Sequence, residues 1–304
     1  MNYLVLITKI FLDLIYIFII SSMLSIGLGL SFKNIADSFK RPGMLTHSLL
    51  FNLIIIPVVA IGIASILGLE GAVLIGFLIM ACAPGASYAP RITEVANGDV
   101  GHSTGLMFLL CTIAVFSAPL TLIFVMPGSA GIDPWPVIKT LALIQMVPLF
   151  FGMIIRSHRP KLAKRLSNPA FWTSNISALI VIVMSLLIIF LQESNGGFFS
   201  HVFGTCGIPA IIVVVIISVM LGFFYGGETL GEKKSMAISS ANRNAGVAFL
   251  IVVSSFSMMP VAIIMIIIYI IIQSIITGGL AGYWLRKDYK AGKETIISEY
   301  KKIL

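Results

Sequence analysis

Charge is scarce in this chain. Asp, Glu, Lys and Arg together make 11% of 304 residues, against about a quarter in soluble domains, while 58% are hydrophobic and the mean hydropathy is +1.06. A soluble fold is excluded. Cysteine is nearly absent, and Cys82, Cys111 and Cys206 sit in or beside apolar runs with no CxxC spacing, which leaves no basis for a disulfide framework or a thiolate metal centre. They read as small buried hydrophobes. The signatures of common catalysis are missing as well: there is no GxSxG, no HExxH, and no paired carboxylate or Cys/His set inside an apolar run. The chain reads as a non-enzyme that needs neither cofactor nor metal centre.

What the chain has is long apolar runs. Nine are long enough to span a bilayer: about 4–30, 44–67, 71–97, 102–125, 137–155, 171–192, 208–225, 232–257 and 260–284. The expectation is an all-α polytopic membrane protein of about nine transmembrane helices, a single transmembrane unit over 1–304 with a cytoplasmic tail at 286–304.

The net charge of +8 has a local explanation. Alternating the nine runs across a bilayer collects 17 of the 20 Lys and Arg on one side, including Lys33, Lys40, Arg41, the basic loop Arg156 to Arg165, Lys233, Lys234 and the tail. Cytoplasmic loops carry such an excess, so the N-terminus is expected outside and the C-terminus in the cytoplasm of a multi-pass cell (inner or plasma) membrane protein. The same bias removes the argument for a nucleic-acid partner.

Two of the nine runs are interrupted. Pro84, Gly85 and Pro90 break the third, and the eighth passes through Asn242, Arg243, Asn244 and Gly246 before it turns apolar. Breaking a helix frees backbone N–H and C=O groups, which at membrane depth are tolerated only where protein buries them or they line a watery cavity. Two interrupted spans in corresponding halves are the sequence pointer to a transporter with its site at the bilayer midplane. The third and eighth runs correspond if residues 1–126 form a first repeat lacking its initial helix and 136–285 an inverted second one.

Ser87, Tyr88, Asn242 and Asn244 are candidate substrate-lining groups, and each could equally satisfy freed backbone. Arg91 and Arg243 are candidates because charge near the bilayer centre is costly and is usually functional or paired. Glu94, one turn beyond Arg91, offers it a structural partner instead.

Gly27-Leu-Gly-Leu30 before a short basic loop, Pro57 in the second run, Ala83-Pro-Gly85 at the first break, Gly98-Asp-Val100 after it and Asn244-Ala-Gly246 at the second follow one another over about residues 20–285. In that order they resemble the bile acid:sodium symporter family. The resemblance implies a panel and a core domain, two broken helices crossing within the core, anionic substrates between the domains, and coupling to sodium ions. The family's Ser-Asn sodium ligands fall here on Ala89 and Pro90. Ser103 keeps another ligand position, Met107 replaces a hydroxyl, Ser239 and Arg243 stand for a Glu and a Gln, and Asn52 for a Gln.

A guanidinium supplies donors only and repels a neighbouring cation. The expected function is therefore alternating-access transport of a small organic anion, secondary active or facilitative and sodium-independent, with Arg243 as a built-in cation in a vacated ion site near Asn52, Ser103 and Ser239. Coupling by exchange or by protons stays open. The alternative is a sodium-coupled organic anion or bile acid symporter with rearranged ligands. A third reading is a non-transporting membrane ligand sensor.

Overall fold

Helix-start chemistry recurs along the chain. Pro42, Pro134, Pro160 and Pro260 each open a helix, where the missing N–H costs nothing. Asp133 accepts a hydrogen bond from Trp135 N at 3.1 Å, and Thr229 and Glu232 form a reciprocal capping box. The computed structural model describes residues 3–30, 35–36, 42–125, 133–192, 204–256 and 259–303. Its helices are α1 (Tyr3–Gly29), α2 (Pro42–Ile66), α3 (Gly71–Ala81), α4 (Ala89–Val95), α5 (Val100–Val125), α6 (Pro134–His158), α7 (Pro160–Gln192), α8 (Gly207–Phe224), α9 (Leu230–Ala241), α10 (Ala245–Ser255) and α11 (Pro260–Ile303).

Seven of these are long and apolar enough to cross a membrane. The two remaining places in the expected order, third and eighth, are taken by the short pairs α3/α4 and α9/α10. Both expected interruptions are therefore present, between Ala81 and Ala89 and between Ala241 and Ala245.

Two expectations change. The basic stretch 156–165 is not a loop: α6 runs to His158 and α7 begins at Pro160, leaving Arg159 alone between them. Lys161, Lys164 and Arg165 are exposed on the first turns of α7, because a first-turn proline starts a helix as readily as it ends one. The expected tail 286–304 continues α11 as helix to Ile303, since residues 285–303 contain one glycine and no proline.

Two spans contain a π-helical turn, Phe51–Ile55 in α2 and Ala142–Met146 in α6. Each lies just before a proline, Pro57 or Pro148, that cannot supply the next ladder N–H, so the helix widens by a residue. Each turn carries a fully buried amide, Asn52 or Gln145.

The helices pack in two groups. In the first, α1 lies along α6 and α7. A Cβ at Gly27 would stand 2.1 Å from Leu149 O, and one at Gly152 2.7 Å from Leu24 O, so α1 and α6 meet backbone to backbone. The second group holds α2–α5 and α8–α11, with α8 against α9 and α3 against α11. Edge-on ring pairs, Phe18 with Phe249 and Phe108 with Phe150, join the groups, and Gln145 Nε2 donates across the boundary to Cys111 O at 3.1 Å. The first group is the panel and the second the core.

Candidate functional site

The two breaks meet. They pair as a short antiparallel bridge between Pro84 and Arg243, with Asn244 N donating to Ala83 O at 2.7 Å. The other edge of this strand fragment is closed by a side chain. Gln273 Oε1 on α11 accepts from Arg243 N at 2.9 Å, while its Nε2 donates to Arg243 O at 3.4 Å and to the Tyr88 hydroxyl. One amide thus does for Arg243 what a neighbouring strand would do.

The flanking ends are capped in turn. Asn244 Oδ1 accepts from Val247 N at 3.2 Å and starts α10, and Asn242 Nδ2 donates to Ile238 O at 2.8 Å and closes α9. Gly85 sits at φ +92°, and a Cβ there would stand 2.6 Å from Cys111 N; the Cys111 thiol donates to Gly85 O at 2.7 Å. At the Lys- and Arg-rich end of the bundle the broken segments are tied again. Lys234 Nζ donates to Ala96 O at 2.8 Å and pairs with Asp288 at 2.6 Å, beside a hydrogen bond from Asn97 to the same carboxylate.

A cavity of about 380 Å³ lies between this crossing and the panel helices α1 and α7. The core contributes Ser87, Tyr88, Pro90, Arg91, Arg243, Asn244 and Gly246, so seven of the ten expected substrate and crossover residues line it; Asn242, Pro84 and Gly85 do not. The panel adds the hydroxyls of Ser22, Ser25 and Ser174 and the rings of Phe18 and Phe171. Among the described residues its charged lining is two arginines, with no acidic side chain.

The arginines differ. Arg91 is exposed, and its Cζ stands 3.3 Å from the centroid of Phe171 on the panel, a cation–π contact worth about 0.5–1 kcal/mol in water and about 2 kcal/mol when desolvated. No ion pair within 4 Å joins it to Glu94 among the described residues. Arg243 is fully buried, with Nη2 donating to Ser240 O at 2.7 Å in the last turn of α9, where a cation offsets the partial negative charge of the helix end. Cys82 and the Tyr269 hydroxyl lie beside it, and its Nε and Nη1 have no acceptor among the described residues.

The expected ion-site residues fall behind the crossing, away from the cavity. Ser103 and Ser239 hydroxyls are 3.0 Å apart, and Thr93 Oγ1 donates to Ser103 Oγ at 3.1 Å. Asn52 Nδ2 donates to Ser48 O at 2.9 Å and to Ser240 Oγ at 3.1 Å, while its Oδ1 has no partner among the described residues. Sequence reasoning missed Thr93, Gln273 and Phe171. For Gln273 a signal existed: an amide in the middle of an apolar span needs a partner.

The family model described as Sodium Bile acid symporter family matches residues 16–196, more than half the chain. A Bacillus subtilis protein named uncharacterized sodium-dependent transporter YocS is 24% identical over 281 residues, covering 90% of this chain and 84% of its own length. The rice protein named probable sodium/metabolite cotransporter BASS2, chloroplastic, is 23% identical over 91% of this chain and 65% of its own length. The rice BASS3 protein, named in the same terms, is 27% identical over 45% of this chain, an alignment that takes in only 32% of that relative. With the crossing of two broken helices inside a multi-pass helical bundle and a family match running from α1 through α7, the chain belongs to the sodium bile acid symporter family, whose named relatives here are membrane transporters.

Proposed function

We propose that this transporter carries a small organic anion, that the cavity at the crossing is its substrate site, and that the panel and core move past one another to open it to either side. The observation that carries the reading is the charge inventory of the cavity: among the described residues, two arginines and no acid. The N-terminal turn of α10 adds positive potential, since Asn244, Ala245 and Gly246 line the same space. The largely apolar contact between panel and core suits sliding. Residues 1–126 and 136–285 act as the inverted halves, the basic end faces the cytoplasm, and the N-terminus lies outside the cell membrane.

In this reading Arg243 supplies the positive charge that a coupling ion would otherwise bring, so transport is sodium-independent. Ala89 and Pro90 carry no side-chain oxygen, and the Arg243 guanidinium occupies the carbonyl end of α9. A second reading has its own support: the Thr93, Ser103 and Ser239 hydroxyls form a buried oxygen cluster, and of the relatives one is named sodium-dependent and others probable sodium/metabolite cotransporters. Sodium symport with these ligands is the alternative.

Thermal unfolding of purified protein in NaCl against KCl or choline chloride at matched ionic strength separates the two, with wild type beside Arg243→Gln. A ligand at about 100 times its Kd stabilises the folded state by about 2.7 kcal/mol. Wild type is expected to respond equally to all three salts; sodium-specific stabilisation hands the lead to symport. Uptake into liposomes across a panel of carboxylates, sulfonates and bile acids tests the substrate, and no transport of any of them removes the anion reading.

A further inference from the structure

Arg91 and Phe171 stand on opposite sides of the cavity, one on the core helix α4 and one on the panel helix α7. The stack brings the guanidinium carbon to 3.3 Å from the ring centroid, so Phe171 covers the guanidinium on one face. A guanidinium has two kinds of surface. Its faces stack on aromatic rings, and its edge presents five N–H donors in a planar fork that matches the two oxygens of a carboxylate. Here one face is covered, while no side-chain donor of Arg91 finds a protein acceptor among the described residues. Arg243 also lines the cavity, but it is fully buried and its Nη2 is bonded to Ser240 O, so Arg91 is the exposed guanidinium of the two.

We propose that Arg91 is the carboxylate-recognising residue of the cavity, that Phe171 is a positioning residue holding the fork flat and edge-on from the opposite domain, and that the substrate class is a monocarboxylate with an apolar body. The inference rests on the organic-anion reading above. One exposed fork matches one carboxylate, while the buried Arg243 is committed in part to Ser240 O. The apolar body has its surroundings in Phe18, Met23, Met107 and Phe249, with a cavity volume of about 380 Å³. Hydroxyls at Ser22 and Ser174 supply neutral donors that orient it without selecting charge.

The test uses full-length protein in detergent and direct binding of three probe sets: monocarboxylates from 4-phenylbutanoate up to bile acids, their neutral amides, and 3-phenylpentanedioate as a dicarboxylate. Wild type is expected to bind at least one monocarboxylate about tenfold or more tighter than its amide, and tighter than the dicarboxylate. Arg91→Gln removes that preference, so that acid and amide bind with similar affinity. Phe171→Leu lowers carboxylate affinity about three- to tenfold, sparing the amide, and Phe171→Trp restores it. A Phe171 that served packing alone would weaken acid and amide together, which overturns the positioning role. Carboxylate binding that survives Arg91→Gln overturns the proposal and leaves the organic-anion reading standing. If no monocarboxylate binds wild type, both fall.

Discussion

The two breaks that cross at the centre of the core solve one problem by opposite means. The first, Ala83-Pro-Gly85, subtracts: proline has no N–H to satisfy, and glycine reaches φ +92° with no side chain to collide with Cys111. The second, Asn242-Arg243-Asn244, adds: its asparagines cap both half-helices, and Arg243 returns a donor to the carbonyl end of α9. The lesson is that a helix can be broken at membrane depth either by removing backbone demands or by supplying them locally. The subtracting break tolerates no added side chain, whereas the adding break distributes its stabilisation over several replaceable groups.

Gly85→Ala should therefore cost the most, about 3 kcal/mol or more, because a positive φ and a 2.6 Å clash coincide. Thermal unfolding in detergent reads it, and a loss under about 1 kcal/mol would show that the first break can yield. Gln273→Leu comes next. It strands Arg243 N in the interior, an expected loss of about 2–3 kcal/mol by the same measurement, and a Leu variant as stable as wild type would mean water replaces the amide.

Lys234→Met cuts the second tie between the broken segments at the basic end. About 2 kcal/mol is expected, limited because the Asp288 side chain is 33% exposed and can rehydrate. Limited proteolysis near residues 96–99 should accelerate; unchanged cleavage would show that the central bridge alone holds the pair. Asn244→Ala is the mildest, about 1 kcal/mol for a lost N-cap, read as faster amide exchange at Val247.

Much of this was legible in the residues. Nine apolar runs and two interruptions could be read because proline, glycine and a polar triplet are local events, and the helices stop where those events occur. The interruptions themselves drew attention to Ser87, Arg91 and Asn244, which line the cavity. What the sequence hid is what depends on distant chain. Nothing near Phe171 marks it as the partner of Arg91, 80 positions away, and Gln273 is 30 positions from the strand it completes. The continuation of α6 almost directly into α7 was hidden for another reason: a basic, proline-containing stretch has the composition of a loop and the geometry of a helix start.

Helix α11 has a further consequence. It runs unbroken for 44 residues from an apolar span into residues that carry most of the C-terminal charge, so about 28 Å of rod extends past Trp284 at 1.5 Å per residue. Because Gln273 on this helix grips the crossing and Asp288 grips Lys234, the rod is fastened to the core at two points about 22 Å apart along its axis. A rod clamped twice cannot pivot independently of its mount. Its far end therefore magnifies any tilt of the core, and a fluorophore placed there would report such a tilt, if the core moves, without touching the site.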